Sequence, residues 1–169
     1  MIYEFCAENV TLLEKAMQAG ARRIELCDNL AVGGTTPSYG VTKAAVELAA
    51  NYDTTIMTMI RPRGGVFVYN DLEIAIMLED IRLTALAGSQ GVVFGALTAD
   101  KKLDKLNLEK LITASKGMEI VFHMAFDELS DEDQLEAIDW LSQTGVTRIL
   151  TRAGVSGDSL EKRFAHYHR

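Results

Sequence analysis

The chain has 169 residues, of which 48% are hydrophobic and 24% are charged, and its formal net charge is −7. This length fits one domain with a substantial core, so we expect a single domain over residues 1–169. The negative charge, with no basic cluster, argues against non-specific binding to nucleic acid or acidic membranes, because both need a basic face.

A signal peptide consists of a charged segment, an apolar segment and then small residues, and the N-terminal segment does not show this order. No apolar stretch approaches the roughly 20 residues needed to span a bilayer. The two cysteines are too few for a disulfide framework. We therefore expect a cytoplasmic protein without a membrane partner.

Six short apolar runs are predicted to be strands, and their near-continuous apolarity favours parallel strands covered on both faces. Four of the runs follow a glycine that can end a preceding helix, since glycine accepts a left-handed conformation without penalty. In chain order, the runs are residues 2–5, 23–26, 55–60, 91–94, 118–122 and 146–150.

The segments between these runs show helical periodicity. Val10, Leu13 and Met17 repeat at the spacing of one helix face, as do the apolar residues between positions 74 and 81. Asn70 and Ser130, each with an acidic residue three positions later, predict helix starts of the capping-box type. Alternating strands and helices predict a parallel α/β sheet, and length alone favours an open sheet over an eight-unit barrel.

Buried polar residues favour the barrel instead. Glu4 and Cys6 share one face of the first strand, and Glu25 and Cys27 share one face of the second. A carboxylate inside a parallel strand is costly unless it is paired. A barrel lumen with Arg61 at its mouth would supply that partner for Glu25 and would lower the pKa of the carboxyl group. A purely structural buried ion pair is the alternative.

The third predicted strand leads into a loop that concentrates arginine and glycine. A guanidinium group offers a planar fork of donors suited to carboxylate or phosphate. Consecutive glycines allow backbone conformations that are closed to other residues. We predict an anion-binding loop at a functional mouth, with surface salt bridges as the alternative, and its residues are Arg61, Pro62, Arg63, Gly64 and Gly65.

Segments spread over nearly the whole chain match one known family in order. They are Glu4–Cys6, Arg23–Cys27, Gly33–Ser38, Arg61–Gly65 with Phe67 and Tyr69, Phe122–Asp127 and Ile149–Thr151. Through them the chain resembles the CutC family, usually called copper homeostasis proteins. The resemblance implies an α/β fold of the TIM type, a (β/α) barrel, here truncated to about six of the eight strand–helix units.

In barrels of this kind, functional groups lie at the C-terminal ends of the strands. His123 titrates near neutral pH and is predicted to act in acid–base catalysis, with Asp127 orienting it or acting beside it. Glu25, one pleat deeper, is a further catalytic candidate. A structural histidine is the alternative. The predicted substrate-binding residues are Arg61, Arg63, Gly64, Gly65 and Thr151.

Cys6 and Cys27 are predicted to end adjacent strands, which lie about 4.8 Å apart, so that their sulfur atoms can approach each other. Cu(I) prefers thiolate and thioether ligands, and these two cysteines are its predicted ligands. Met57, Met59 and Met124 are candidate soft neighbours. Packing of two small buried side chains is the alternative.

Three interpretations follow. The resemblance implies a cytosolic copper homeostasis protein that binds Cu(I) through Cys6 and Cys27. The predicted mouth fits equally an enzyme acting on a small phosphate or carboxylate substrate, because TIM-like barrels host many chemistries. A truncated structural oligomer without activity is the third. Exposed sheet edges favour a homo-oligomer in each case.

Overall fold

The computed structural model describes residues 2–152. Within them, six strands alternate with five α-helices. The strands are β1 (Glu4–Glu8), β2 (Arg23–Cys27), β3 (Thr55–Met59), β4 (Gly91–Phe94), β5 (Glu119–Phe122) and β6 (Arg148–Ile149). The helices are α1 (Leu13–Gln18), α2 (Tyr39–Ala49), α3 (Asp71–Ala87), α4 (Lys105–Ala114) and α5 (Asp131–Gln143). Short 3-10 helices cover Leu30–Val32 and Met124–Glu128.

The strands form one parallel sheet in which chain order and spatial order are the same, β1 to β6. A doubly wound open sheet reverses its strand order at a switch point, whereas successive units of a barrel keep adding on one side. The expectation of a TIM-type barrel is therefore confirmed, and the described residues supply six of its strands and five of its helices. The open-sheet expectation from length is wrong.

The helices pack against the outer face of the sheet in two apolar clusters. Residues at alternate strand positions point outward, and each buried side chain of this size contributes about 1.5–3 kcal/mol. One cluster joins β1–β3 to α1 and α2, and the other joins β4 and β5 to α3–α5. The outward strand residues in them include Ile24, Leu26, Ile56, Val92, Phe94, Ile120 and Phe122.

Local signals in the sequence position the helices. Asn70 and Glu73 form a reciprocal capping box, with both hydrogen bonds 2.9 Å long. Ser130 accepts a hydrogen bond of 3.2 Å from the backbone N–H of Asp133. Both predicted helix starts are thus confirmed. Gly88 ends α3 at φ 88°, as its place before β4 predicts.

The inner face of the sheet carries charged side chains at the N-terminal ends of the strands. Toward the C-terminal ends it carries mainly sulfur-containing and apolar side chains. Glu4 pairs with Arg23 at 3.2 Å, and Glu119 pairs with Arg148 at 2.7 Å. The next layers toward the C-terminal ends hold sulfur and apolar side chains, which are Cys6, Cys27, Met57, Met59, Val93, Val121 and Leu150. The inner face therefore presents two thiols together with two ion pairs.

Within residues 2–152, β1 and β6 lie at the two sides of the sheet and each pairs with one neighbouring strand. Self-association through these edges, and an inactive oligomer, stay predictions. The extent of the domain to residue 169 also stays a prediction, since residues 153–169 lie outside the described part. Among the described residues, no helix has the length and apolarity required to cross a membrane.

Gly91 is predicted to be essential for packing of the inner face. A Cβ atom there would lie 2.1 Å from Cε of Met57 and 2.7 Å from the carbonyl oxygen of Glu119. Gly91→Ala should lower the free energy of unfolding by about 1–3 kcal/mol, measured by urea denaturation. Gly40→Ala is the control, because a Cβ there meets only Ser38 Oγ at 3.9 Å. Equal effects of the two substitutions would contradict the proposed crowding at Gly91.

Candidate metal centre and strand-end loops

Two thiols and a carboxyl group meet on the inner face of β1 and β2. Sγ of Cys6 donates to Oε1 of Glu25 at 3.4 Å, and Sγ of Cys27 donates to the same oxygen at 3.7 Å. One ligand atom from each of the three residues lies within 4.8 Å of the others. The two cysteines that the sequence predicts as metal ligands are therefore brought together.

The strand register determines how the thiols approach each other. Cys6 lies opposite Glu25, and Glu8 lies opposite Cys27. Cys27 is the last residue of β2, as expected, but Cys6 lies in the middle of β1. The prediction that Cys6 ends its strand is wrong, because β1 starts at Glu4 and continues to Glu8. The thiols are therefore diagonal neighbours, separated along the strands by two residues.

Burial controls the protonation of this group. Loss of solvent raises the pKa of Glu25, and the nearby Glu4 carboxylate raises it further. The hydrogen bond with Cys6, burial and the charge of Glu25 raise the pKa of the Cys27 thiol. The expected ion pair of Glu25 with Arg61, and the lowered pKa it implies, are wrong. A metal ion that binds here must displace thiol protons.

Two of the three candidate thioether groups lie beside the buried thiol of Cys27, and the third does not. Met57 and Met59 are fully buried in the cluster that contains Cys27. Nη2 of Arg148 approaches Sδ of Met57 at 3.6 Å. Met124 lies elsewhere, with its sulfur 3.1 Å from Nε of Arg152. The soft surroundings of the thiols therefore come from β3.

The guanidinium group of Arg61 is buried at the C-terminal end of β3, with only 4% of the residue exposed. Its Nη1 donates to the carbonyl oxygens of Val32 at 3.0 Å and Gly34 at 2.9 Å. Its Nη2 donates to the carbonyl of Gly65 at 2.7 Å. Backbone carbonyls, rather than a carboxylate, thus replace water around this charge.

Arg61 holds the loop between β2 and α2 over the thiol of Cys27. Gly34 in this loop adopts φ 85°, and a Cβ atom there would lie 3.1 Å from Sγ of Cys27. Only glycine accepts both this conformation and this contact without strain. Cys27 is 1% exposed as a result. The loop thus presents carbonyl acceptors to Arg61.

Arg63 is also held by the protein. Its Nε and Nη2 contact the two carboxylate oxygens of Glu73, at 2.5 and 3.2 Å. This bidentate contact lowers the pKa of Glu73. Gly64 packs so tightly that a Cβ atom would lie 2.8 Å from Cβ of Val32. Because both arginines contact the protein itself, anion binding by Arg61, Arg63, Gly64 and Gly65 stays a prediction.

His123 is buried, and its Nδ1 accepts a hydrogen bond of 3.2 Å from the backbone N–H of Ala125. Burial, and then the charge of Arg61, lower its pKa from the ordinary 6.5 to about 3. The imidazole is therefore neutral at physiological pH. Its ring packs on Phe67 with centroids 4.7 Å apart.

Asp127 does not orient His123, so this part of the predicted acid–base pair is wrong. Its carboxylate instead accepts a short hydrogen bond from the hydroxyl of Thr151 and a bond of 3.0 Å from the backbone N–H of Arg152. The contacts join the 3-10 helix after β5 to the segment after β6. Acid–base roles for His123, Asp127 and Glu25, and substrate binding by Thr151, stay predictions.

A cavity of about 270 Å³ opens beside Cys6 on the inner face. Several residues of its wall are not predicted as site residues by the sequence, and two of these are Arg148 and Leu150. Their period-two spacing in the last predicted strand would have placed them on one face. The complete lining is Glu4, Cys6, Glu25, Val121, Arg148, Ile149 and Leu150.

Comparison with known proteins extends the similarity over nearly the whole chain. The CutC family profile matches residues 1–164. A family protein CutC from Enterococcus faecalis is 54% identical over 166 residues, which cover 98% of this chain and 79% of the relative. A copper homeostasis protein cutC homolog from Homo sapiens is 41% identical over 160 residues, covering 95% of this chain and 56% of the relative.

Solved structures give the same result for the fold. The crystal structure of a copper homeostasis protein CutC from Streptococcus agalactiae superposes with a TM-score of 0.94 at 46% identity, covering 98% of this chain and 79% of that one. A Schiff-base-forming fructose-1,6-bisphosphate aldolase superposes with a TM-score of 0.63 at 15% identity, covering 92% and 61%. The second likeness concerns the barrel fold alone.

The buried His123 predicts a pH dependence of stability. Because the folded pKa of about 3 is below 6.5, the unfolded chain binds a proton that the folded chain excludes. This contribution to stability is complete above about pH 6.5 and is lost as pH falls toward 3. His123→Asn keeps an acceptor for Ala125 and should flatten the dependence, measured by urea denaturation from pH 7 to 4. If the free energy of unfolding falls with pH equally in the wild type and in His123→Asn, the lowered pKa of His123 is contradicted.

Proposed function

The chain belongs to the CutC family, and from this premise we propose that it handles copper by holding Cu(I) between the thiolates of Cys6 and Cys27. The observation that carries the proposal is the convergence of Cys6, Glu25 and Cys27, whose ligand atoms lie within 4.8 Å of one another. Copper is the cargo of this site, and the chain supplies the ligands.

The donor set favours Cu(I) over other common metal ions. Soft thiolate ligands select Cu(I), whereas a structural zinc site requires four ligands in tetrahedral geometry. Among the described residues, this cluster offers two thiols and one carboxyl group. Met57 and Met59, buried beside Cys27, keep the surroundings soft and exclude water.

Copper binding and proton release are coupled in this proposal. Both thiols donate hydrogen bonds to Oε1 of Glu25 before the metal arrives. Cu(I) replaces the two thiol protons, so the affinity for Cu(I) rises with pH. Glu25 keeps the side chains of Cys6 and Cys27 turned toward one another. Its role in the proposal is therefore to orient the ligands.

The location and assembly of the protein form part of the same proposal. Thiols persist in a reducing compartment, and both Cys6 and Cys27 are free. We therefore assign the protein to the cytoplasm. A homo-oligomer that covers the sides of β1 and β6 is consistent with the unpaired backbone groups of such edges.

Replacement of both thiols tests the copper site. Cys6→Ser/Cys27→Ser should weaken anaerobic Cu(I) binding more than about 100-fold, since loss of outer contacts alone costs metal sites 10–100-fold. The measurement is competition with a chromophoric Cu(I) chelator. Met124→Leu is the control, because it removes a sulfur atom that lies beside Arg152. Unchanged affinity in the double variant, with an intact urea unfolding transition, would rule out this site.

A further inference from the structure

The two thiols of the metal centre differ in their access to solvent. Cys6 is exposed, whereas Cys27 is buried. Gly34 covers the sulfur of Cys27, and Arg61 fixes the loop that carries Gly34. A reagent in solution therefore reaches Cys6 first.

The strand register keeps the two cysteines too far apart for a disulfide. Cys27 pairs with Glu8, so Cys6 is displaced from it by two residues along β1. A strand spacing of about 4.8 Å and a rise of about 3.3 Å per residue separate their Cα atoms by about 8 Å. Disulfides require a Cα separation below about 7 Å. The sulfur atoms can share a metal ion, but they cannot bond without movement of the backbone.

The cavity beside Cys6 has room for a small adduct. It measures about 270 Å³, and Glu25 and Arg148 lie in its wall. Oε2 of Glu25 is buried and has no hydrogen-bond partner within the described residues. This oxygen can accept a hydrogen bond from an amide, ammonium or hydroxyl group that enters the cavity.

From these observations we propose that Cys6 is a site of reversible S-thiolation by low-molecular-weight disulfides. The Cys6 thiolate attacks one sulfur of the small disulfide, a new S–S bond forms at Cys6, and the old bond breaks. The departing thiolate takes up the proton that Cys6 lost, so no further oxidant is needed. Because Cys27 cannot attack the adduct, the reaction stops at the mixed disulfide. A free small thiol reverses it.

The modification regulates the copper site, and this consequence rests on the proposed function. An adduct on Cys6 removes one of the two thiolate ligands and fills the approach to the other. Thiolated protein should therefore bind Cu(I) as weakly as Cys6→Ser. If the adduct forms but Cu(I) binding is unchanged, the copper proposal fails and the thiolation site stands.

The test uses bis(2-hydroxyethyl) disulfide on the native, metal-free protein, followed by intact-mass and peptide mass spectrometry. The wild type should gain a single hydroxyethylthio group at Cys6, while Cys27 stays a free thiol. Cys6→Ser should gain none. The double variant Cys6→Ser/Glu8→Cys places the new thiol directly opposite Cys27 and should close to an internal disulfide without an adduct.

Three outcomes would overturn the proposal. The first is an internal disulfide between Cys6 and Cys27 in the native wild type. The second is a wild type that stays unmodified while its unfolded chain reacts fully. The third is a stable mixed disulfide in Cys6→Ser/Glu8→Cys, because the register would then not decide whether Cys27 resolves the adduct.

Discussion

The buried guanidinium group of Arg61 organises the C-terminal side of this half-barrel. A buried charge is unfavourable unless hydrogen bonds replace its lost water, and here the carbonyls of Val32, Gly34 and Gly65 do so. The same bonds tie the loop after β2 to the loop after β3. Gly34 is thereby placed on the sulfur of Cys27, and the charge of Arg61 helps to keep His123 neutral. Loss of this guanidinium would remove a donor from the buried carbonyl of Gly34 and would uncover the buried thiol.

The inner face brings ion pairs and sulfur atoms together, since Arg148 pairs with Glu119 at 2.7 Å and also approaches Sδ of Met57 at 3.6 Å. Ion pairs occupy the N-terminal ends of the strands, where Glu4 meets Arg23. One layer higher, Glu25 has no ion-pair partner among the described residues, and burial raises its pKa; its Oε1 accepts hydrogen bonds from both thiols, which oppose that rise. The diagonal register of Cys6 and Cys27 lets the thiols share a metal ion while it prevents a direct sulfur–sulfur bond. The register of β1 and β2 thus accounts both for the proposed Cu(I) site and for the proposed S-thiolation of Cys6.

The sequence predicts the units of this fold well, because apolar runs between glycines carry the signal. The predicted strand at residues 91–94 has the bounds of β4, and the capping box at Asn70 forms as expected. The extent of β1 lacks such a signal, and the sequence therefore predicts Cys6 at a strand end. The partners of Arg61 could not be predicted, because any residue can supply a backbone carbonyl. A carboxylate such as Glu25 is visible in the sequence. Because a buried charge is expected to pair with an opposite charge, the sequence predicts Glu25, and not the backbone carbonyls, as the partner of Arg61.

X-ray absorption at the copper K edge shows whether the two thiolates hold Cu(I). Protein loaded anaerobically with one equivalent of Cu(I) should show a low-coordinate copper ion whose nearest shell contains sulfur alone. The soft donors of Cys6 and Cys27 predict this shell. A first shell of nitrogen or oxygen, or an identical spectrum from the variant with serine at both positions, would contradict the account.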